Sequence, residues 1–212
     1  MSRKISRSFI NGRTGVGTAG QGLKVEWDST NDGELHWMDV DESTLEYVAP
    51  FQGSNYGFTS GGFNGSSSLN EIDKFSLSSN VTAADHGNLT VAKRVNAASS
   101  SSTDGFASGG EGGENVIDKF SFTSSSGASD HGDLSVNKRQ PTGQSSSTDG
   151  YTAGANDNNF QNVIDKFAYT SNTTAADWGD LTNTQGSGAG QSSSTDGYCS
   201  GSYRGGYSTT AV

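Results

Sequence analysis

The residues of this chain whose side chains could take part in catalysis or metal binding are its three histidines and a serine-rich string that occurs three times. The string reads Ser-Ser-Ser-Thr-Asp-Gly and is followed each time by an aromatic residue, at Phe106, Tyr151 and Tyr198. A nucleophilic serine needs an adjacent base that a third group orients, and no histidine recurs with the string. We therefore interpret the string as a turn in which the Asp side chain caps backbone N–H groups.

Two of the histidines, His86 and His131, occupy equivalent positions of a repeated segment, and Trp178 stands at that position in the third copy. Because a tryptophan can replace them, we interpret both histidines as packing groups rather than as metal ligands or acid–base catalysts. The single cysteine, Cys199, excludes an internal disulfide and a zinc site built from several thiolates. We expect no enzymatic activity, no metal and no cofactor.

These segments belong to one longer repeat. The sequence Ile-Asp-Lys-Phe occurs at 72–75, 117–120 and 164–167. A second segment, which ends in Gly-x-Leu, occurs at 85–89, 130–134 and 177–181. Equivalent residues lie 45–48 positions apart, and the differences in length fall between the Gly-aromatic segment and Ile-Asp-Lys-Phe. Such restricted variation indicates a surface loop between two fixed strands.

The overall composition excludes several classes of protein. With 30% apolar residues and a net charge of −10, composition alone would suggest disorder, but the repeats argue for a folded protein. No stretch is apolar enough for a membrane helix, so we expect no membrane insertion. The first ten residues are basic but lack the apolar core of a signal peptide. The acidic balance argues against nucleic acid as a partner.

The spacing of apolar residues predicts short strands. Aromatic and aliphatic residues two positions apart lie on one face of a strand. This pattern predicts strands at 56–62, 72–77, 117–122 and 164–169, and shorter ones around Leu89 and Leu134. The Ser-Ser-Ser-Thr stretch is a candidate for the remaining strand, with Thr-Asp-Gly as a hairpin turn. Helix periodicity is nearly absent, so the fold class is all-β.

The order of features within the unit resembles a kelch repeat, the blade of a β-propeller. An Arg precedes a Gly-aromatic strand that ends in Gly-Gly; a variable loop, an aromatic strand, a Trp-type position and another Arg follow. The resemblance assigns structural roles to Gly61, Gly62, Gly109, Gly110, Phe75, Phe120, Phe167, Trp178, Arg94 and Arg139. It implies three kelch-like repeats and a closing strand over 51–212. Since propellers close with about four to eight blades, the N-terminal residues or other chains would complete a ring, or the repeats would stack as an open array.

Residues 1–50 lie outside the repeats. Alternating apolar residues predict strands at 23–27 and 34–38, joined by a turn at Asp32-Gly33. The segments around Leu23 and Trp37 are similar to a motif of phage tail-fibre shafts, and the repeats resemble those of virion proteins from marine cyanobacterial phages. The resemblance implies that 1–50 is an attachment or oligomerisation region with a β-hairpin.

The same resemblance implies a structural protein at the surface of an extracellular virion. It would be a tail fibre or surface appendage that contacts the host or, alternatively, a capsid, neck or tail decoration protein that binds only other virion proteins. Expected partners are other virion proteins, further copies of this chain, and a glycan or protein of the host surface. Loops that differ between repeats are natural recognition surfaces. Their candidate contact residues are Asn64, Glu111, Asn156, Phe160 and Gln161.

Overall fold

A computed structural model describes residues 21–24, 36–39, 55–112, 115–157, 159–193 and 195–203. The chain divides into two units, Met1–Ala49 and Pro50–Val212. In the first unit, β1 (Gln21–Lys24) pairs in antiparallel register with β2 (His36–Asp39), and Leu23 lies opposite Trp37. The first of these strands begins two residues earlier than the strand that the sequence predicts at 23–27. Val25, Trp27 and the turn at Asp32-Gly33 lie outside the described residues.

The second unit consists of four antiparallel sheets in which successive strands are neighbours. Repeat 1 contains β3 (Tyr56–Phe63), β4 (Ser68–Ser76) and β5 (Ala84–Asn88). Repeat 2 contains β6 (Ala97–Ser100), β7 (Asp104–Ser108), β8 (Val116–Ser121) and β9 (Ser129–Asp133). Repeat 3 contains β10 (Thr142–Ser145), β11 (Asp149–Asp157), β12 (Asn159–Ala168) and β13 (Ala176–Asp180). Repeat 4 is a hairpin of β14 (Ala189–Ser192) and β15 (Gly197–Ser200).

The described residues contain no helix, which confirms the all-β class. None of the four sheets closes into a ring within the described part of the chain. Repeat 3 is followed by the two-stranded repeat 4 rather than by a single closing strand. The structure therefore shows an all-β repeat protein with three larger sheets and one hairpin.

Two details of the strand prediction are wrong. The serine-rich stretch supplies only the end of β6, and Ser101 to Thr103 form the turn that follows it. The last strand of a repeat is Asp-His-Gly rather than the segment around Leu89, because β5 ends at Asn88. Leu89 and Leu134 come directly after their strands and are buried in the core. Their apolar character therefore marks burial and not strand pairing.

In repeats 1 to 3 a cross-strand contact joins a glycine to the phenylalanine of Ile-Asp-Lys-Phe. Gly105 lies opposite Phe120 in the β7–β8 register, and the phenyl ring covers the glycine so closely that a Cβ would clash with it. The pairs Gly57–Phe75 and Gly150–Phe167 repeat this arrangement. An aromatic ring over a strand glycine shields the backbone and fixes the register. The glycine of Thr-Asp-Gly is thus required by the phenylalanine of Ile-Asp-Lys-Phe.

The glycine pairs that resemble those of kelch repeats have unequal requirements. The first glycine is left-handed in every repeat, with φ of 68° at Gly61 and 64° at Gly109, where side chains are disfavoured. The N–H of the second residue donates to a carbonyl of the following connection, from Gly62 to Lys93 and from Gly110 to Lys138. Ala155 makes the equivalent bond to the Gln185 carbonyl in repeat 3. Gly62 and Gly110 have φ of 134° and 94°, whereas Ala155 has no positive φ, so the second position requires glycine in repeats 1 and 2 but not in repeat 3.

Candidate interaction surfaces

Successive repeats pack against each other through aromatic rings. Phe58 of repeat 1 stacks on Phe122 of repeat 2, with ring centroids 4.9 Å apart, and meets Phe120 at 5.7 Å. Repeats 2 and 3 make the same contacts, since Phe106 stacks on Tyr169 at 4.7 Å and meets Phe167 at 5.6 Å. Offset and tilted aromatic pairs contribute beyond the area that they bury. The aromatic-x-aromatic strand of one repeat is therefore the contact surface for the preceding repeat.

The two repeat histidines are buried at these same interfaces. His86 contacts Phe58 edge-on, and its Nε2 lies 2.7 Å from the carbonyl oxygen of Ser121 in the next repeat. His131 makes the equivalent contact with the carbonyl of Ala168 at 2.9 Å. Each histidine thus links two repeats through packing and a hydrogen bond. Trp178, at the third equivalent position, is 61% exposed.

Buried ion pairs also connect the repeats. Lys93, which follows repeat 1, places its Nζ 2.9 Å from Asp118 Oδ2 in repeat 2, and both side chains are fully buried. Lys138 reaches Asp165 of repeat 3 in the same way at 3.6 Å. Burial lowers the pKa of both lysines, while the neighbouring aspartates oppose that shift. Lys93 also donates to the Val116 carbonyl at 3.1 Å.

Sequence reasoning missed these lysines, although a signal was present. Lys93 and Lys138 occur where a further Ile-Asp-Lys-Phe follows, and Gln185 takes their place after repeat 3. In repeats 2 and 3 the lysine that follows this aspartate pairs within its own repeat, Lys119 with Asp104 at 3.4 Å and Lys166 with Asp149 at 3.5 Å. In repeat 1 the equivalent Lys74 donates instead to the Phe122 carbonyl of repeat 2 at 3.4 Å. Repeats 2 and 3 therefore use the Asp of the motif for the preceding repeat and the Lys for their own sheet.

The serine-rich string forms a turn, as predicted, but the capping group is different. Ser101 Oγ accepts hydrogen bonds from the N–H groups of Thr103 and Asp104 at 3.2 and 2.9 Å. Ser146 and Ser193 make the same pair of bonds. The Asp carboxylate instead accepts from the adjacent Thr hydroxyl at 2.7 Å. The serine caps the turn in place of the aspartate because it lies two and three residues before the N–H groups that need an acceptor.

The two arginines assigned by the kelch resemblance converge on one carboxylate. Arg94 Nη2 lies 2.6 Å from Glu111 Oε1, and Arg139 Nη2 lies 2.8 Å from Glu111 Oε2. These hydrogen bonds, from Arg94 first and then Arg139, lower the pKa of Glu111 to about 2. Arg94 also lies over the Phe63 ring at 4.2 Å. Glu111 thus connects the loop of repeat 2 to the connections on either side of that repeat.

The other loop candidates occupy different settings. Asn64 is exposed at the tip of the β3–β4 hairpin, where its Oδ1 accepts from the N–H groups of Ser66 and Ser67, each at 2.9 Å. Asn156 and Gln161 belong to β11 and β12, because that hairpin extends well into the segment between Gly-aromatic and Ile-Asp-Lys-Phe that the sequence predicts as a surface loop.

Phe160 belongs to the same long hairpin, in β12, and lies opposite Asn156. Its ring packs against Tyr203 with centroids 5.4 Å apart. The loop end of repeat 3 is therefore a structured hairpin with an aromatic side chain rather than an irregular segment.

The first strands of repeats 2 to 4 lie side by side. Ser100 N donates to Ser145 Oγ at 2.9 Å, and Ser145 N donates to Ser192 Oγ at 2.8 Å. A Cβ on Gly143 would clash with the Ala98 carbonyl, so only glycine permits this approach. Residues of all four sheets line an adjacent cleft of about 350 Å³, including Tyr56, Phe58, Phe106, Ser145 and Gln191.

The described residues contain neither a cluster of metal ligands nor a helix that could span a membrane. Among them, no three His, Cys, Asp or Glu side chains lie together as metal ligands would. No helix in this part of the chain is long and apolar enough to span a membrane. Models of known protein families match no part of the sequence, and no curated protein matches it significantly. Functional inference therefore depends on the surfaces described above.

Proposed function

We propose that the chain is a structural protein of a phage particle, a tail fibre or surface appendage whose loops contact the host surface. The observation that supports the proposal most directly is the repeated interface between sheets. Its buried rings, histidines and ion pairs all join one repeat to the next, as expected of a rigid scaffold built from stacked repeats.

We also propose that the repeats are kelch-like blades. Each complete sheet is a four-stranded antiparallel meander, and the left-handed glycine comes directly after β7 in repeat 2 and lies within β11 in repeat 3. Arg94 and Arg139 contact a loop between the second and third strands. These features support the kelch assignment independently of the number of blades.

The surface proposed for host contact lies at the hairpins between the second and third strands. In an antiparallel meander these hairpins share one end with the connections between sheets. That end carries exposed Asn64, the Phe160–Tyr203 pair and the Glu111 cluster. Amide groups and aromatic rings offer both hydrogen bonds and apolar stacking faces, a combination suited to a glycan.

The test is competition for host cells between purified full-length protein and infectious particles. The wild-type protein should slow particle adsorption, and Asn64→Ala with Phe160→Ala should relieve that inhibition. A matched control changes exposed serines at the opposite end, Ser124→Ala and Ser126→Ala, and should inhibit like the wild type. Equal behaviour of the two variants, or no inhibition by the wild type, would contradict the host-contact role.

Decoration of the capsid, neck or tail is the second candidate. It is favoured by the exposed aromatic side chains of the last repeats, Trp178 at 61% and Tyr198 at 53% exposure. Exposed clustered aromatics mark protein contacts in many soluble proteins. A protein that binds assembled particles lacking it, but does not compete for host cells, would fit decoration instead.

A further inference from the structure

We propose that the face of repeat 3 that carries Ile164, Trp178 and Leu181, together with the outer edge of β15, forms an acceptor site for an extended strand from another polypeptide. The strand would carry an acidic residue two positions before the first of two aromatic residues, themselves two apart. This inference goes beyond the proposed function, since it holds wherever the protein acts.

The two interfaces within the chain show what covers the equivalent faces. The third strands β8 and β12 supply an Asp and two aromatic residues to the preceding repeat. The apolar residues of the preceding repeats are buried at these interfaces. Ile72 and Ile117 are completely buried, and Leu89 and Leu134 are at most 3% exposed. A covered face is therefore tightly packed.

The same positions of repeat 3 are open. Ile164 and Leu181 are only half-buried, and Trp178 is exposed, whereas His86 and His131 are buried. A Cβ on Gly179 would meet nothing within 4 Å in the described part of the chain. The equivalent Gly87 and Gly132 lie against the backbone of the next repeat. Side-chain burial and the space beside the glycine therefore both differ from those of repeats 1 and 2, as expected for a face that no strand covers.

The hairpin of repeat 4 frames this face. No described strand pairs with the outer edge of β15, the edge at which β8 pairs with β7 and β12 with β11. A cleft of about 300 Å³ lies between the hairpin and repeat 3, lined by Tyr151, Ile164, Trp178, Leu181 and Gly197. Among the residues that the structure describes, no aromatic ring covers Gly197, in contrast to Gly105 and Gly150. An added strand could pair with β15 and place its first ring there, as in β-augmentation.

No further copy of this pattern occurs in the sequence of residues 1–212. The pattern Asp-x-aromatic-x-aromatic occurs in the whole sequence only at 118–122 and 165–169. Both copies already belong to the interfaces between repeats. A second copy of the chain would have to open one of its own sheets to supply it. The expected occupant is a different polypeptide that carries this pattern.

The experiment measures binding of a fluorescent peptide with the sequence of residues 115–122 to the full-length protein by anisotropy. Saturable binding is expected, and a peptide with serine in place of both phenylalanines should not bind. Gln185→Lys should tighten binding about tenfold, because it recreates the ion pair that Lys93 and Lys138 make. The matched control Asn183→Lys adds the same charge two residues away and should leave the affinity unchanged.

Two results would overturn the proposal. Equal binding of the aromatic and serine peptides, or equal effects of the two lysine variants, would refute a strand site at this face. Light scattering provides the second test. An oligomer that the peptide dissociates would identify a second copy as the occupant and would refute the assignment to a different polypeptide.

Discussion

The ion pair between Lys93 and Asp118 gives the sharpest test of how the repeats are joined. Replacing Lys93 by methionine preserves much of the side-chain length and apolar stem but removes the charge. Asp118, which is fully buried, would then lose its cationic partner. It would keep only the hydrogen bonds from the Thr90 amide and hydroxyl. The substitution therefore leaves the buried Asp118 carboxylate without the positive charge that Lys93 provides.

The expected loss is large. At 2.9 Å and an effective dielectric constant of about 20, the attraction is roughly 6 kcal/mol, and desolvation of the two ions offsets part of it. Breaking a buried pair by removing one partner costs about 3–5 kcal/mol. With a urea dependence of about 2 kcal/mol per molar, the midpoint should fall by roughly 1.5–2.5 M.

The assay is urea unfolding followed by circular dichroism, with Lys119→Met as the matched control. Lys119 pairs with Asp104 at a partly exposed site, so its loss should cost only about 0–1 kcal/mol. Adding Asp118→Asn to Lys93→Met removes the stranded charge and should recover most of the loss. Equal destabilisation by the two single substitutions would refute the reasoning.

Three further predictions address individual contacts. The Glu111 carboxyl should titrate near 2 by NMR, so its contribution to stability should persist above pH 4.5 and disappear as the pH falls toward 2; Arg139→Ala should raise that pKa. Gly105→Ala should cost about 1–3 kcal/mol in urea unfolding by crowding Phe120, and adding Phe120→Leu should restore part of the loss. Val95 has a φ of 51°, so Val95→Asn should raise the melting temperature, since asparagine tolerates this conformation better; an unchanged or lower melting temperature would contradict that reading.

The sequence was sufficient to predict the repeats, the all-β class and the strands that carry regular apolar spacing. Identical strings at intervals of 45–48 residues define equivalent positions, and alternation assigns one face of each strand. Both signals are local. They also placed β8 correctly to within one residue at each end.

The errors arose where contacts between sheets decide the structure. Asp-His-Gly looks polar, yet it forms β5 and β9 because the histidine is buried against the next repeat. The buried role of Lys93 was hidden because lysine usually lies at the surface. The Asp in the serine-rich turn was assigned the cap that Ser101 provides, since composition alone does not distinguish two oxygen acceptors so close in sequence.

The most direct test of the proposed function is immunogold electron microscopy of intact particles from a phage that encodes this chain. Antibodies raised against the repeats, 55–203, should label fibres or other surface appendages. Adding an excess of the purified protein should remove the label. Label confined to the capsid, neck or tail would favour decoration. Absence of the chain from particles, shown by the same antibodies on dissociated virions, would contradict a virion role.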